Sequence, residues 1–223
     1  MTDREKYLVA DMYQRLHAEF GDRKWWPGDS AEEVVIGAIL TQSVSWKNVE
    51  LAISKLKESD LLTLHAINQV ELSVIAPVIR STRFYNEKAR KLKNFAHWLF
   101  TCYEGSLDLV FAQELWQLRK ELLSLKGIGE ETVDSILLYA GNKSVFVVDA
   151  YTMRIFSRLG LARKEWRYQD YQRFFMNYVE GDLKIYNDYH AQIVGLGHLY
   201  CRKTNPLCSQ CPLQELCNFT CLA

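Results

Sequence analysis

Apolar residues recur every three or four positions along most of this chain, with Leu, Glu, Lys and Gln prominent in the repeats. That is the period of a helix with one buried face. It predicts helices over about 4–19, 31–42, 46–57, 69–76, 86–102, 111–123, 130–140, 150–159, 168–179 and 183–200. Ser30 followed by Glu33 has the form of a capping box, and Val34, Val35, Ala38 and Ile39 then mark a buried face. Alternation of period two is weak. Val145-Phe146-Val147-Val148 reads either as a short strand or as a buried, extended connector. No repeat, low-complexity tract or Gly/Ser-rich linker divides the chain, so any two domains must meet through a short turn. Gly141-Asn142-Lys143 is the expected joint. The pattern as a whole is that of an all-α protein.

Composition adds little to this picture but excludes several classes. With 223 residues, 48% of them apolar, the chain can bury a full core without covalent staples, as one large domain or two small ones. No stretch approaches the roughly 20 uninterrupted apolar residues of a membrane helix. The start MTDREKYLVAD lacks the basic and apolar regions of a secretion signal, which makes cytosolic residence the default expectation. Lys and Arg number 27 against 27 Asp and Glu. Such balance argues against a generic polyanion binder, which usually carries an overall basic excess.

The cysteines change the picture more. Five of the six fall within the last 23 residues, and without a secretion signal such crowding points to metal ligands rather than disulfides. Cys201, Cys208, Cys211 and Cys217 form C-x6-C-x2-C-x5-C, so four thiolates can converge on one centre within 17 residues. Zinc sites of this type usually present two C-x2-C knuckles, and only one is present here; a cubane iron–sulfur cluster suits the looser spacing better. Zinc and a disulfide remain the alternatives. Cys102 and Cys221 lie outside the spacing and are expected to be a buried small apolar residue and a tail thiol.

Leu125-Lys126-Gly127-Ile128-Gly129 lies between two amphipathic segments, and its glycines permit a tight turn that exposes backbone amides at the next helix start. Such amides can grip a phosphate, although the same sequence could simply turn a helix corner. Asp149 comes twenty residues after Gly129, between Val147-Val148 and Ala150-Tyr151-Thr152-Met153-Arg154. It is a natural N-cap. A capping carboxylate beside an apolar wall is also fixed in place and available for chemistry.

LKGIGEETVDSILLY, VVDAYTMRIFSRLG and the four-cysteine loop together resemble the helix-hairpin-helix (HhH-GPD) DNA glycosylase superfamily, in its endonuclease III branch. LTQSVSW at 40–46 and FYNEKARKLKNF at 84–95 resemble further segments of that family in the expected order, so the likeness covers nearly the whole chain. It implies two helical domains flanking a DNA-binding cleft. One is a six-helix domain over 29–143 carrying the helix-hairpin-helix at about 111–140; the other is built from 1–28 and 144–223 and holds a [4Fe–4S] cluster on Cys201, Cys208, Cys211 and Cys217. Asp149 matches the family's catalytic aspartate, which stabilises positive charge at the sugar and orients or deprotonates the attacking water. Gln42 matches the glutamine that fills the gap left by a flipped nucleotide, Phe84 would be the opposing wedge, and Gly127 and Gly129 would serve the hairpin's DNA contact.

In the strand-cleaving members, the second residue after the hairpin's last glycine is a lysine that attacks the sugar. Here it is Glu131, which cannot form a Schiff base, so the resemblance implies a monofunctional glycosylase. Trp25-Trp26-Pro27, Trp46 and Glu131 most resemble the 3-methyladenine glycosylases of this branch, whose aromatic pocket selects a cationic alkylated base. The tryptophans could equally serve packing, and Glu131 could complement a helix dipole. The relatives include forms without the cysteine loop, which keeps oxidised pyrimidines or mispaired adenine open as substrates. A non-catalytic iron–sulfur DNA-binding protein is the alternative from another class. Arg80, Arg83, Lys88, Arg90, Lys91 and Lys93 face one acid, Glu87, in residues 80–93, a run that reads as a solvated helix face or as phosphate contacts beside the wedge. The expected partner is double-stranded DNA containing a damaged base, bound by a monomer in a prokaryotic cytoplasm, at the nucleoid.

Overall fold

The computed structural model describes residues 3–179 and 181–219. Among these there are twelve α-helices and no strand, so the protein is all-α. No helix of the described residues is long and apolar enough to cross a membrane. The chain divides into two compact units, one made of residues 27–143 and the other of 1–26 with 144–223.

The 27–143 unit is built around α2 (Ala31–Leu40), in which every residue from Glu33 to Leu40 is buried. An all-round apolar helix has no polar face to give it periodicity, and it belongs at the centre of a core. Its start is a partial version of the predicted box. Ser30 Oγ accepts from Glu33 N at 3.2 Å, while the Glu33 carboxylate accepts from Asp29 N at 3.3 Å and pairs with Lys57 at 3.1 Å. Around it lie α3 (Trp46–Glu58), α4 (Leu64–Gln69), α5 (Leu72–Val78), α6 (Tyr85–Tyr103), α7 (Leu107–Phe111), α8 (Leu115–Leu123) and α9 (Glu130–Ser135). A short 3-10 turn, Arg80–Thr82, precedes α6, and a π turn, Ile136–Ala140, extends α9.

Two expected helices are bounded differently from the sequence pattern. The helix expected over 69–76 is α5, which starts only at Leu72; Val70-Glu71 separate it from α4, an unanticipated short helix that Thr63 caps through Ala66 N at 3.0 Å. The 111–123 segment is broken ahead of Leu115, where the Glu114 carboxylate caps α8 by accepting from Trp116 N and Gln117 N, both at 2.9 Å. Cys102, expected inside, is exposed; at this end of α6 the inward contacts are made by Trp98 and Tyr103, which both donate to Glu121, at 3.0 and 2.7 Å. Cys221 lies outside the described residues.

The other unit contains α1 (Asp3–Phe20), α10 (Ala150–Arg158), α11 (Tyr168–Tyr178) and α12 (Leu183–Leu199). The Val145–Val148 run crosses its core as an extended connector, not a strand. Its buried backbone is satisfied by side chains of α11: Gln172 Nε2 donates to Phe146 O at 2.7 Å, and Val148 N donates to Tyr168 Oη at 3.2 Å. The Phe146 ring stacks on Phe175 with centroids 3.5 Å apart and planes within 8°. This packing fixes the point at which the connector ends, Asp149.

Candidate functional site

In the 27–143 unit, the glycine turn between α8 and α9 is reached by one other residue expected from the sequence, Gln42. Ile128 is buried and anchors the turn, while Lys126, Gly127 and Gly129 face outward. Gly127 has φ +88°, which favours glycine, and a Cβ there would lie 2.8 Å from Lys91 Cε, the flexible end of a side chain that could shift, so the backbone rather than space sets the preference. Gly129 differs. It caps α9 in extended conformation, and a Cβ would meet nothing within 4 Å. Neither conformation nor packing therefore explains a glycine at 129, which leaves its exposed backbone as the feature available to an incoming group.

Gln42, in the turn after α2, reaches this hairpin. Its Nε2 donates to Thr132 Oγ1 at 2.9 Å and to Gly127 O at 3.4 Å, and its Oε1 accepts from the Lys91 ammonium. Phe84 is 64% exposed although it is a large apolar residue, and both it and Arg83 adopt positive φ, 44° and 52°. The Arg83 guanidinium lies 5.5 Å from the Phe84 ring centroid. Trp46 opens α3, half-buried, with Nε1 donating to Glu50 at 2.9 Å. Glu131 is exposed in the first turn of α9.

The basic run of 80–93 is not a uniform phosphate-binding face. Lys88 is buried on backbone carbonyls, Lys93 donates to Ile67 O and Asn68 O at 3.2 and 2.6 Å, and Arg90 pairs with Glu87. Counting charges along the sequence does not separate side chains that satisfy helix ends from those left to solvent.

In the second unit, Asp149 is the N-cap of α10. Its Oδ1 accepts from Thr152 N at 2.7 Å and from Thr152 Oγ1 at 2.8 Å. Its Oδ2 lies 3.8 Å from His190 Nε2, on α12. Burial lowers the pKa of His190 from its ordinary value, and the nearby Asp149 charge opposes the shift. With a folded pKa below the unfolded one, the unfolded chain binds more protons between the two. The stability contributed by a neutral His190 is thus intact above about pH 6.5 and is lost as pH falls below it. Urea midpoints measured at about pH 7.5, 6.5 and 5.5 should show a steeper acid loss in the parent than in His190→Asn. Equal slopes would contradict this assignment.

Trp25 and Trp26 belong to this same unit, half-buried, with their rings edge to face at 5.4 Å. Of the four expected base-pocket residues, Trp46 and Glu131 thus lie in one unit and the two adjacent tryptophans in the other.

Helix α10 links Asp149 to the cysteine loop. Near its far end, Arg154 donates to Cys201 O and Gly197 O at 2.8 and 3.1 Å, and Arg158 Nη1 donates to Cys201 Sγ at 3.2 Å. Cys217 Sγ donates to Arg158 O at 3.6 Å. Cys201, Cys211 and Cys217 are free thiols. Burial raises the Cys211 pKa, and the charges of Cys201 and Cys217 add to the rise. Two of these thiols touch Arg158, which donates to the sulfur of Cys201 and accepts from that of Cys217, contacts that suit a thiolate-bound centre. Among the described residues, however, no group of three or more His, Cys, Asp or Glu side chains is assembled to hold a metal ion. The donor types fit a cluster, then, but the four sulfurs are not gathered as its ligands.

Several of these groups carry no sequence signal. His190 lies 41 residues beyond Asp149, and nothing in its neighbourhood marks it. Lys91 is visible only as one charge of a run. Thr132 is the most legible, as a hydroxyl in the first turn behind the hairpin.

The sequence model of the HhH-GPD superfamily of base excision DNA repair proteins matches residues 36–180. A Methanocaldococcus jannaschii protein named as a DNA repair glycosylase is 42% identical over 97% of this chain and 99% of its own length. Endonuclease III of Sulfolobus acidocaldarius is 28% identical over 83% of this chain and 80% of that protein. Among solved structures, the 3-methyladenine DNA glycosylase of H. pylori bound to 1,N6-ethenoadenine superposes with a TM-score of 0.72 at 27% identity, covering 85% of this chain and 95% of that one. A trapped endonuclease III–DNA intermediate has a TM-score of 0.82 at 22% identity, covering 98% and 96%, a likeness of fold.

Proposed function

The chain belongs to the HhH-GPD superfamily of base excision DNA repair proteins, and on that premise we propose that this DNA glycosylase is monofunctional and removes an alkylated purine such as 3-methyladenine. Its partner in this reading is double-stranded DNA with the damaged base flipped out, bound by a monomer. The observation that carries the catalytic assignment is Asp149, a nearly buried carboxylate locked by the Thr152 amide and hydroxyl. Two hydrogen bonds on one oxygen fix its direction while Oδ2 faces His190. Such a group can stabilise the positive charge that grows on the sugar as the glycosidic bond breaks, and can orient or accept a proton from the attacking water.

Alkylation at a ring nitrogen makes the base a cation and a good leaving group, so the protein needs little acid catalysis. Trp25, Trp26 and Trp46 supply electron-rich faces for such a base, and Glu131 a carboxylate for its edge. The same Glu131 supports monofunctionality, since it stands where the strand-cleaving relatives use an amine nucleophile. Gln42 fills the gap in the duplex, Phe84 wedges the opposite strand, and the amides at Gly127 and Gly129 hold a phosphate. Cys201, Cys208, Cys211 and Cys217 would hold a [4Fe–4S] cluster. When bound, that cluster would cross-link the loop that Arg154 and Arg158 tie to α10.

The relatives named endonuclease III favour a second reading, release of oxidised pyrimidines or mispaired adenine. One preparation decides. After iron and sulfide analysis, it is given duplexes carrying 3-methyladenine, 1,N6-ethenoadenine, thymine glycol, or adenine opposite 8-oxoguanine, with and without borohydride. Release of alkylated adenine and no trapped adduct is expected. Release of only another base would replace the alkylation reading, and a borohydride-trapped covalent adduct would end the monofunctional one.

A further inference from the structure

Lys88 lies one turn into α6 and is 2% exposed, an unusual place for an ammonium. It donates to Leu40 O at 2.8 Å and to Thr82 O. Those carbonyls close two different elements: Leu40 is the last residue of α2, and Thr82 the last of the 3-10 turn before α6. Terminal helix carbonyls lack intrahelical partners and favour a cation. Here one cation serves both ends. Burial, then the charges of Lys91 and Arg83, bring its pKa down to about 8, so it is chiefly protonated at neutral pH.

The two carbonyls matter because of the side chains just beyond them. Two residues past Leu40 is Gln42; two residues past Thr82 is Phe84. Arg83 and Phe84 hold positive φ, a conformation that side-chain-bearing residues keep only when their surroundings impose it. Lys91, three residues along α6 from Lys88, donates to Gln42 Oε1 and lays its stem where a Cβ of Gly127 would be. Helix α6 therefore grips the backbone ahead of both side chains and the amide of one of them.

We propose that Lys88 and Lys91 are positioning residues that present Gln42 and Phe84 as a matched pair to an opened duplex. The proposal rests on the reading of Gln42 as the gap-filling residue and Phe84 as the wedge. Inserting two side chains offsets the cost of unstacking only if both arrive in register, and that register is what a shared anchor supplies.

The test uses binding alone, so it depends neither on the lesion nor on turnover. A duplex carrying a tetrahydrofuran abasic analogue opposite 2-aminopurine brightens when the estranged base is unstacked. Lys88→Met, Lys91→Met, Gln42→Ala and Phe84→Ala are compared with the parent at saturating protein, alongside their affinities and salt dependence. We expect the first two variants to lose at least half of the fluorescence rise, as the last two do. If Gln42→Ala and Phe84→Ala lose it while both lysine variants keep it, the positioning role is wrong and the intercalation reading stands. If all four keep it, the intercalation reading has failed as well. A Lys91→Met variant that keeps the full rise but binds with a salt slope reduced by about one would make Lys91 a phosphate contact, and would overturn its share of the proposal. Should Lys88→Met fail to fold, the half-buried Lys91 decides the outcome.

Discussion

Asp149→Asn is expected to slow base release by about 10²–10⁴-fold while leaving the fold and most of the DNA affinity intact. The separation is possible because the residue has two duties and asparagine can perform one. As N-cap of α10, Asp149 Oδ1 accepts from Thr152 N and Thr152 Oγ1. An asparagine carbonyl oxygen caps about as well as a carboxylate, so thermal stability should change little. Lost is the negative charge beside the bond that breaks, together with the capacity to accept a proton. Single-turnover release on the preferred lesion, binding to a duplex with an abasic analogue, and a melting curve make up the measurement. Asp149→Ala is the contrast: it should be equally inactive and also less stable by about 1 kcal/mol, because the cap is gone. A loss of less than tenfold in Asp149→Asn would remove the residue from the chemistry.

How much of this could be read from sequence depended on whether a property is local. The helix-forming period located most elements because each buried face repeats within one segment, and Asp149 was legible as a cap because capping is a matter of three residues. The failures came where distant side chains complete a local feature. The helix expected over 69–76 starts at Leu72, and the short helix 64–69 before it carried no expectation, because six residues show too little of a repeat and Thr63 becomes a cap only when the backbone turns there. Val145–Val148 read equally as a strand or a buried connector; it is the connector, because side chains of α11 satisfy its backbone, and no short-range pattern foretells them. The same limit applied to charge. Six basic residues in a row of fourteen resemble a phosphate track, yet Lys88 and Lys93 end on carbonyls of other helices, and which face of α6 turns inward is decided by α2, α4 and α5. At the candidate site, Gln42 and the hairpin glycines could be named in advance. Their hydrogen-bonded connection through Thr132 and Lys91 could not, since it spans 90 residues of chain.

Asp134→Ala is expected to destabilise the protein by about 3–5 kcal/mol, the cost of leaving a buried partner uncompensated. Asp134 is fully buried in α9, and Arg119, on α8, is 8% exposed. Arg119 Nε donates to Asp134 Oδ1 at 2.7 Å and Nη2 to Oδ2 at 3.0 Å, a fork-to-fork pair that spans the hairpin. Glu130 stands 3.6 Å from the same guanidinium, more exposed, and should soften the loss toward the lower end. For a chain of this size the melting temperature would fall by roughly 6–20 °C. Because replacing a buried pair with apolar residues avoids the desolvation of both charges, Arg119→Met with Asp134→Leu should recover much of what Asp134→Ala loses. The double variant thereby separates two uses of the pair. If it regains stability but DNA binding stays weak, the ion pair sets the angle at which the hairpin offers its amides. If both return together, it is only a brace. A loss below about 1 kcal/mol in Asp134→Ala, the range of exposed pairs, would show that the Arg119 guanidinium finds water or Glu130 at little cost and that the hairpin does not depend on this pair.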